Sequence, residues 1–188
     1  MRTLGPTDPV RPDVTRILVA GTAGAGKTTL AGHIGETLQI PHTELDNLYW
    51  GPGWTTRESF LPDVEELVAS EAWVTEWQYR AVRPLTGARA QLMVWLDLPV
   101  RVRMHRVTRR TLIRRLKREA VWDSKNVEPP LRTVLSKEDH ILRWAWDRRH
   151  SLDDLPERLA AELPHLDLVR LSSPADVRTW LRTLASSR

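Results

Sequence analysis

The chain has 188 residues, 28 of them basic and 24 acidic, with a formal charge of +4, a pI near 9.9 and no cysteine. That length suits one well-buried domain, and the missing cysteines exclude disulfides, thiolate metal sites and cysteine nucleophiles, so any metal must be held by oxygen or imidazole. No run of about eighteen apolar residues occurs, and Pro6, Asp8, Pro9, Pro12 and Asp13 stand where a signal peptide needs a continuous apolar segment, so a cytoplasmic protein is expected.

In chain order, residues 1–14 are proline-rich and lack periodicity, and they are expected to form a flexible tail ahead of a single domain over 15–188. Arg16-Ile17-Leu18-Val19-Ala20 is a short run of branched apolar residues, as a buried parallel strand requires. Directly after it, Gly21-Thr22-Ala23-Gly24-Ala25-Gly26-Lys27-Thr28-Thr29 satisfies G-x-x-x-x-G-K-[ST], and Leu30, Ile34 and Leu38 then mark one face of a helix. Strand, glycine-rich turn and helix N-terminus together make a phosphate-binding loop. Gly21, Gly24 and Gly26 let the backbone turn tightly, so that the N–H groups of this stretch, including those of Ala25 and Thr29, approach phosphate oxygens. Lys27 would reach the β- and γ-phosphates of a nucleotide, Thr28 would offer its hydroxyl to Mg²⁺, and the helix N-terminus adds partial positive charge.

Beyond the loop, 41–46 reads as a short second strand ending on Asp46, and Gly51, Pro52 and Gly53 mark irregular structure. Thr55 with Glu58 forms a capping-box pattern ahead of a helix carrying Phe60, Val64, Leu67 and Val68. A third strand covers 72–77 and ends on Glu76, and a fourth covers 91–98 and is followed at once by Pro99. A basic helix is expected over 101–118, a mobile flap over 120–133, and a helix capped by Ser136 with Asp139 that carries Ile141, Leu142, Ala145 and Trp146. Leu155, Leu159 and Leu163 give a helical stripe that Pro156 interrupts early. A last strand over 166–171 leads into a helix over 174–184. Strands alternating with helices predict an open parallel sheet with ligands at the carboxyl ends of its strands.

These pieces, namely GTAGAGKTT, LDNLYWGPGW, WVTEWQY, LDLP followed by arginines, HILRWAW and VRLSSPADVRTWL, resemble the small P-loop kinases related to adenylate kinase. More narrowly they resemble the bacterial topology-modulation or FlaR-like group, and the likeness spans most of 15–186. The resemblance implies a nucleoside-monophosphate-kinase-like P-loop α/β/α sandwich with a five-stranded parallel sheet, an acceptor-binding insert near 46–70 and an arginine-rich lid near 106–136. ATP and Mg²⁺ are the cofactors it implies.

Carried across by position, Asp46 falls where related kinases place an acid facing the acceptor, as base or anchor, although an Asp there also suits a loop cap. Glu76 stands where the family shows an Asp-Gly pair; a carboxylate still suits a Mg²⁺ or acceptor contact, while Trp77 replaces a small residue and alters the pocket. Arg106 and Arg110, seven and eleven residues after Pro99, have the spacing of lid arginines on nucleotide, and four apart on a helix they share a face. Arg109, Arg114, Arg115 and Arg118 read mostly as a solvated basic face. Arg143 resembles a returning lid arginine or forms a surface ion pair. Ser172, Ser173 and Pro174 border the adenine in the family, with Ser173 the nominated contact, through its backbone only.

Tyr49, Trp50, Trp54, Trp77 and Tyr79 come from the two segments expected to line the acceptor side, where aromatic walls suit a flat, partly apolar acceptor; the other reading is packing of the insert on the sheet. The six histidines, His33, His42, His105, His140, His150 and His165, show no metal-ligand spacing. An ATP phosphotransferase acting on a small acceptor is the expected activity. A nucleotide-binding regulator that controls DNA or protein binding is the rival from another class, slightly favoured by the basic balance and by the topology-related name of the group it resembles, with nucleic acid a possible and not the favoured partner. A plain ATPase is the third reading, for which no water-positioning glutamine is evident.

Overall fold

Leucine, isoleucine and valine alternate between two faces along Arg16–Ala20, and every residue from Ile17 to Ala20 is fully buried, so this strand must lie inside a sheet covered on both sides. The computed structural model, which describes residues 1–117 and 141–186, shows that arrangement. Five strands, β1 (Thr3–Leu4), β2 (Arg16–Ala20), β3 (Trp73–Glu76), β4 (Leu92–Leu96) and β5 (Asp167–Leu171), pair in parallel in the order β1-β5-β4-β2-β3. The helices are α1 (Lys27–Leu38), α2 (Leu45–Tyr49), α3 (Phe60–Ala69), α4 (Arg83–Arg89), α5 (Val100–Lys117), α6 (Ile141–Asp147), α7 (Leu155–Glu162) and α8 (Pro174–Ser186).

The pleat sorts the core into two layers. Ile17, Val19, Val94 and Val169 meet Leu30 and Ile34 of α1 and Trp180 of α8. Leu18, Ala20, Met93 and Leu168 face the other way, onto Val64 of α3 and Leu159 of α7. Burial of each such aliphatic side chain contributes about 1.5–3 kcal/mol, so a sheet closed on both faces is the main source of stability. Because all the strands run the same way, their carboxyl ends open on one edge, and the turns after β2, β3 and β4 gather there.

Two elements differ from the sequence-based expectation. Residues 41–46 do not form a second strand. His42 makes a single parallel bridge to Val74, with Val74 N–H donating to the Pro41 carbonyl and Thr43 N–H to the Val74 carbonyl, and the chain then coils into α2 at Leu45. The fifth strand comes instead from the expected tail. Thr3–Leu4 pairs with Leu168 and Val169 at the opposite edge, and Val10 and Val14 are buried against the α1/α8 layer. A two-residue strand amid prolines carries no readable period, and tertiary pairing defines it.

Smaller differences lie at helix ends. Thr55 hydrogen-bonds the Pro52 carbonyl instead of capping, and α3 begins later, behind Ser59, whose hydroxyl bonds Asp63. Pro156 opens α7, as its missing N–H and fixed φ allow, and does not interrupt it. The flap over 120–133, the Ser136/Asp139 cap and most of the lid near 106–136 lie outside the described residues.

Arg2 fastens β1 to the sheet by donating from Nη2 to Asp167 Oδ2 at 2.6 Å. The Arg2 bond, outweighing a desolvation penalty, holds the Asp167 carboxyl below its ordinary value. A lowered carboxylate pKa gives stability that is present above the unfolded-state value and is lost as pH falls through the folded-state value. Arg2→Ala should therefore lower Tm at pH 7, and the gap from the unaltered protein should close in melts below the ordinary aspartate range.

Candidate active site

The turn from β2 into α1 holds the phosphate loop at the carboxyl edge of the sheet. Gly24 has φ +77° and Gly26, which caps α1, has φ +98°, so both occupy the left-handed region that favours glycine. Gly24 is required for a second reason. A Cβ there would lie 2.3 Å from the Arg103 carbonyl oxygen and 3.3 Å from Val107 Cβ. Helix α5 thus lies directly on the loop at Arg103 and Val107, which are buried together with Thr111 on the same face. One residue round the helix, Arg106 donates from Nη1 to the Ala25 carbonyl at 3.1 Å. A cleft of about 610 Å³ opens between the two, lined by Gly24, Gly26 and Thr29 on the loop and by Arg106, Arg109 and Arg110 on α5.

Behind the loop, Lys27 feels the charge of acids from two other elements without forming an ion pair with either. Burial pushes its ammonium pKa down and Arg110 adds to that, while Asp46 of α2 and Glu76 at the end of β3 pull it back up. Glu76 is 1 % exposed, and its Oε2 accepts the Leu45 N–H at 3.2 Å. Burial pushes Glu76 up, but the polar hydrogens of His42 and Thr28 and the Leu45 amide outweigh it, so the carboxylate is held below its usual range and stays ionised. Asp46 moves the other way. Burial raises it more than the Tyr79 hydroxyl, Lys27 and Arg110 lower it. The two acids near Lys27 thus have opposite shifts, Glu76 held down as an anion and Asp46 pushed up by burial.

Glu76 Oε1 is buried and without a hydrogen-bond partner, and its carboxylate adjoins the Thr28 hydroxyl. Those hard oxygen donors fit Mg²⁺, which characteristically takes one or two protein ligands and completes its shell with water and phosphate oxygen. Among the described residues no cluster of three or more His, Asp or Glu side chains could hold a metal alone.

In the segments expected to line the acceptor, Tyr49 stacks on Tyr79 with centroids 4.0 Å apart, and Trp50 and Phe60 meet Tyr49 edge-on. Trp54 packs edge-on to Trp50 at 5.5 Å and remains 36 % exposed. Tyr79 has φ +45°, a conformation rare for a tyrosine, and its hydroxyl donates to Asp46 Oδ1. Strain of about 1–3 kcal/mol persists where the surroundings over-determine it, and here it aims the hydroxyl at the acid.

Trp77 does not join this group. The pleat turns it away from Glu76 into the core, 7 % exposed, against Gly87 of α4 and under the Arg83 guanidinium. Arg143 is half-exposed and pairs with Asp147 one turn on, at 3.9 Å, which is the surface-pair alternative. Ser173 serves α8: its N–H donates to Asp176 Oδ2, its hydroxyl accepts the Asp176 N–H and its carbonyl accepts the Val177 N–H. Two contributors were missed in the sequence. Arg103 was legible, because 103, 106 and 110 share the face of a helix. His42, 3.6 Å from Glu76 Oε1, was not, since only the bridge to β3 brings it there.

A glycine-rich loop after an inner strand of an all-parallel sheet, a helix-borne lysine and an arginine helix laid across the loop define a P-loop kinase fold. The chain is similar over 90 % of its length, and over 89 % of that protein, to the shikimate kinase from Acinetobacter baumannii in complex with shikimate, at 19 % identity and a TM-score of 0.54. It is similar to a gluconokinase from Sinorhizobium meliloti over 94 % of each chain, at 20 % identity and a TM-score of 0.52. At these identities the likeness is one of fold. No family model and no curated protein matches the chain.

Gly24→Ala tests the contact between loop and helix. Forcing a Cβ into the Arg103 carbonyl at positive φ should cost more than about 1 kcal/mol, which lowers Tm by at least about 2–4 °C at this chain length. Thermal melts of the purified variant check it.

Proposed function

We propose that this chain is a Mg²⁺- and ATP-dependent phosphotransferase that moves the γ-phosphoryl group of ATP to a hydroxyl of a small acceptor. The observation that carries the reading is the gathering of Lys27, Asp46 and Glu76 within electrostatic reach of one another beside a loop crossed by arginines. A regulator needs the loop alone. A second acid with a raised pKa, aimed by a strained tyrosine, is what proton removal from an acceptor requires. The two solved kinases of like fold support the class, and the narrower likeness to topology-modulation proteins rests on the motifs quoted above.

In this reading the loop amides and Lys27 hold the β- and γ-phosphates, while Arg106 and Arg110 offset the charge that spreads over the transferred group. Thr28 and Glu76 would hold Mg²⁺, which would supply charge neutralisation at the phosphates. Asp46 accepts the proton of the acceptor hydroxyl as the new P–O bond forms and the bond to the ADP oxygen breaks. Tyr49, Trp50, Trp54 and Tyr79 wall the acceptor, so a molecule with a flat, partly apolar ring fits best, a nucleoside or nucleotide among them. Arg143, Ser173 and Trp77 have no part in this scheme.

Release of ADP from Mg·ATP, measured alone and with separate pools of nucleoside monophosphates, nucleosides and small hydroxylated metabolites, tests it. One pool should stimulate release, and Lys27→Ala should abolish the stimulated rate while leaving the melt cooperative. Tight ATP binding with no stimulation by any pool would favour the regulator, whose binding to nucleic acid would weaken steeply with salt.

The acid limb of the rate has a defined direction. Activity needs ionised Asp46 and should fall as pH drops through its raised pKa. Tyr79→Phe removes the hydrogen bond that stabilises the anion, so the limb of kcat should move to higher pH. A limb that stays in place would remove Asp46 from the role of base.

A further inference from the structure

Arg103 is an arginine buried where arginine is costly. It is 8 % exposed, its Nε is buried with no hydrogen-bond partner, and among the described residues no carboxylate forms an ion pair with it. Its neutralising neighbours, Asp97 and Asp153, act only through space, and burial dominates over them. A guanidinium stripped of water with unsatisfied donors destabilises a fold unless it is well paired. An apolar side chain of similar size would pack on Val107 and the loop with less penalty.

What Arg103 does make is a pair of hydrogen bonds from one nitrogen. Nη1 donates to the Thr22 hydroxyl, in the phosphate loop, and to the Arg149 carbonyl at 3.0 Å, in the turn that follows α6. From the same residue, the main-chain carbonyl is the group that a Cβ on Gly24 would strike. One residue of α5 therefore packs its carbonyl closely on Gly24 and bonds the loop through its side chain at Thr22, and that side chain also reaches the chain that returns after α6. The neighbouring Arg106 makes a third contact, to the Ala25 carbonyl. Thr22, Gly24 and Ala25 precede the amides of Gly26, Lys27 and Thr28, so their position sets where those amides point.

We infer that Arg103 is a positioning residue for nucleotide binding: through Thr22 and Arg149 it holds the phosphate loop in its anion-binding shape, at a cost to the stability of the fold. The inference rests on the phosphate-loop reading of 21–29 and adds to it a residue that touches no phosphate. A merely structural arginine and a positioning arginine predict opposite pairs of results, because replacing a poorly satisfied buried charge by an apolar group can leave stability unchanged or raise it.

The experiment uses the full chain and ADP, with calorimetric titration for affinity and thermal melts for stability. Arg103→Met should weaken ADP binding by about tenfold or more, the effect of losing one charged hydrogen bond, with Tm unchanged or higher. Thr22→Val removes the acceptor without touching Arg103 or its bond to Arg149, and should weaken ADP in the same direction. The double variant should bind ADP no more weakly than Arg103→Met alone, since both remove one link. Unchanged ADP affinity in Arg103→Met with a lower Tm would overturn the inference, and so would additive losses in the double variant. If Arg103→Met does not fold, Thr22→Val decides: normal ADP affinity there overturns it. Failure of the unaltered protein to bind ADP would overturn the phosphate-loop reading itself, and this inference with it.

Discussion

A lysine ammonium taken partly out of water has to be met by opposite charge, and the layout around Lys27 follows from that need. The ammonium cannot be placed by α1 alone, because a helix N-terminus is itself electropositive. Its counter-charges come from two elements on the same edge, Glu76 closing β3 and Asp46 opening α2. The Leu45 amide then locks α2 onto Glu76, so the short helix that carries Asp46 is fixed by the acid beside it. Remove that anchor and Asp46, Tyr79 and the aromatic wall lose their common reference.

The opposite side of the loop is governed by positive charge. Arg103, Arg106 and Arg110 bring three guanidiniums to one face of α5, next to a loop already electropositive at its helix end. Such an arrangement is unfavourable on its own and becomes favourable when a polyanion enters. Acids behind the loop and arginines in front of it leave a cleft whose electrostatics suit a triphosphate with its cation. The strained φ of Tyr79 and the Glu76 Oε1, which is buried with no hydrogen bond and has His42 Nε2 at 3.6 Å, belong to the same pattern, in which local cost is concentrated where a ligand would relieve it.

How much of this the sequence discloses depends on the range of the interactions involved. β2, the loop and α1 are set by local chemistry: branched residues buried on both faces, glycines at positive φ and an i, i+4 stripe. They stand where the pattern puts them. The edges of the sheet are decided by distant partners. Thr3–Leu4 becomes a strand because Arg2 reaches Asp167, and Pro41–Asp46 stops being one because the Leu45 amide turns toward Glu76. Trp77 was legible as an aromatic near the site but not as core, since one step along the pleat reverses the face. Arg103 stood on the same helical face as Arg106 and Arg110, and only the missing Cβ of Gly24 reveals how closely that face approaches the loop.

The most direct test of the central claim is a crystal structure of the protein with Mg²⁺ and a non-hydrolysable ATP analogue. The account predicts the β- and γ-phosphates on the amides of Gly24 to Thr28, with Lys27 on the γ-phosphate, Arg106 and Arg110 on its outer oxygens, and Asp46 facing the open side of the γ-phosphorus. A nucleotide seated elsewhere, or one on the loop with Lys27 away from the phosphates and Asp46 remote from the γ-phosphate, would contradict it.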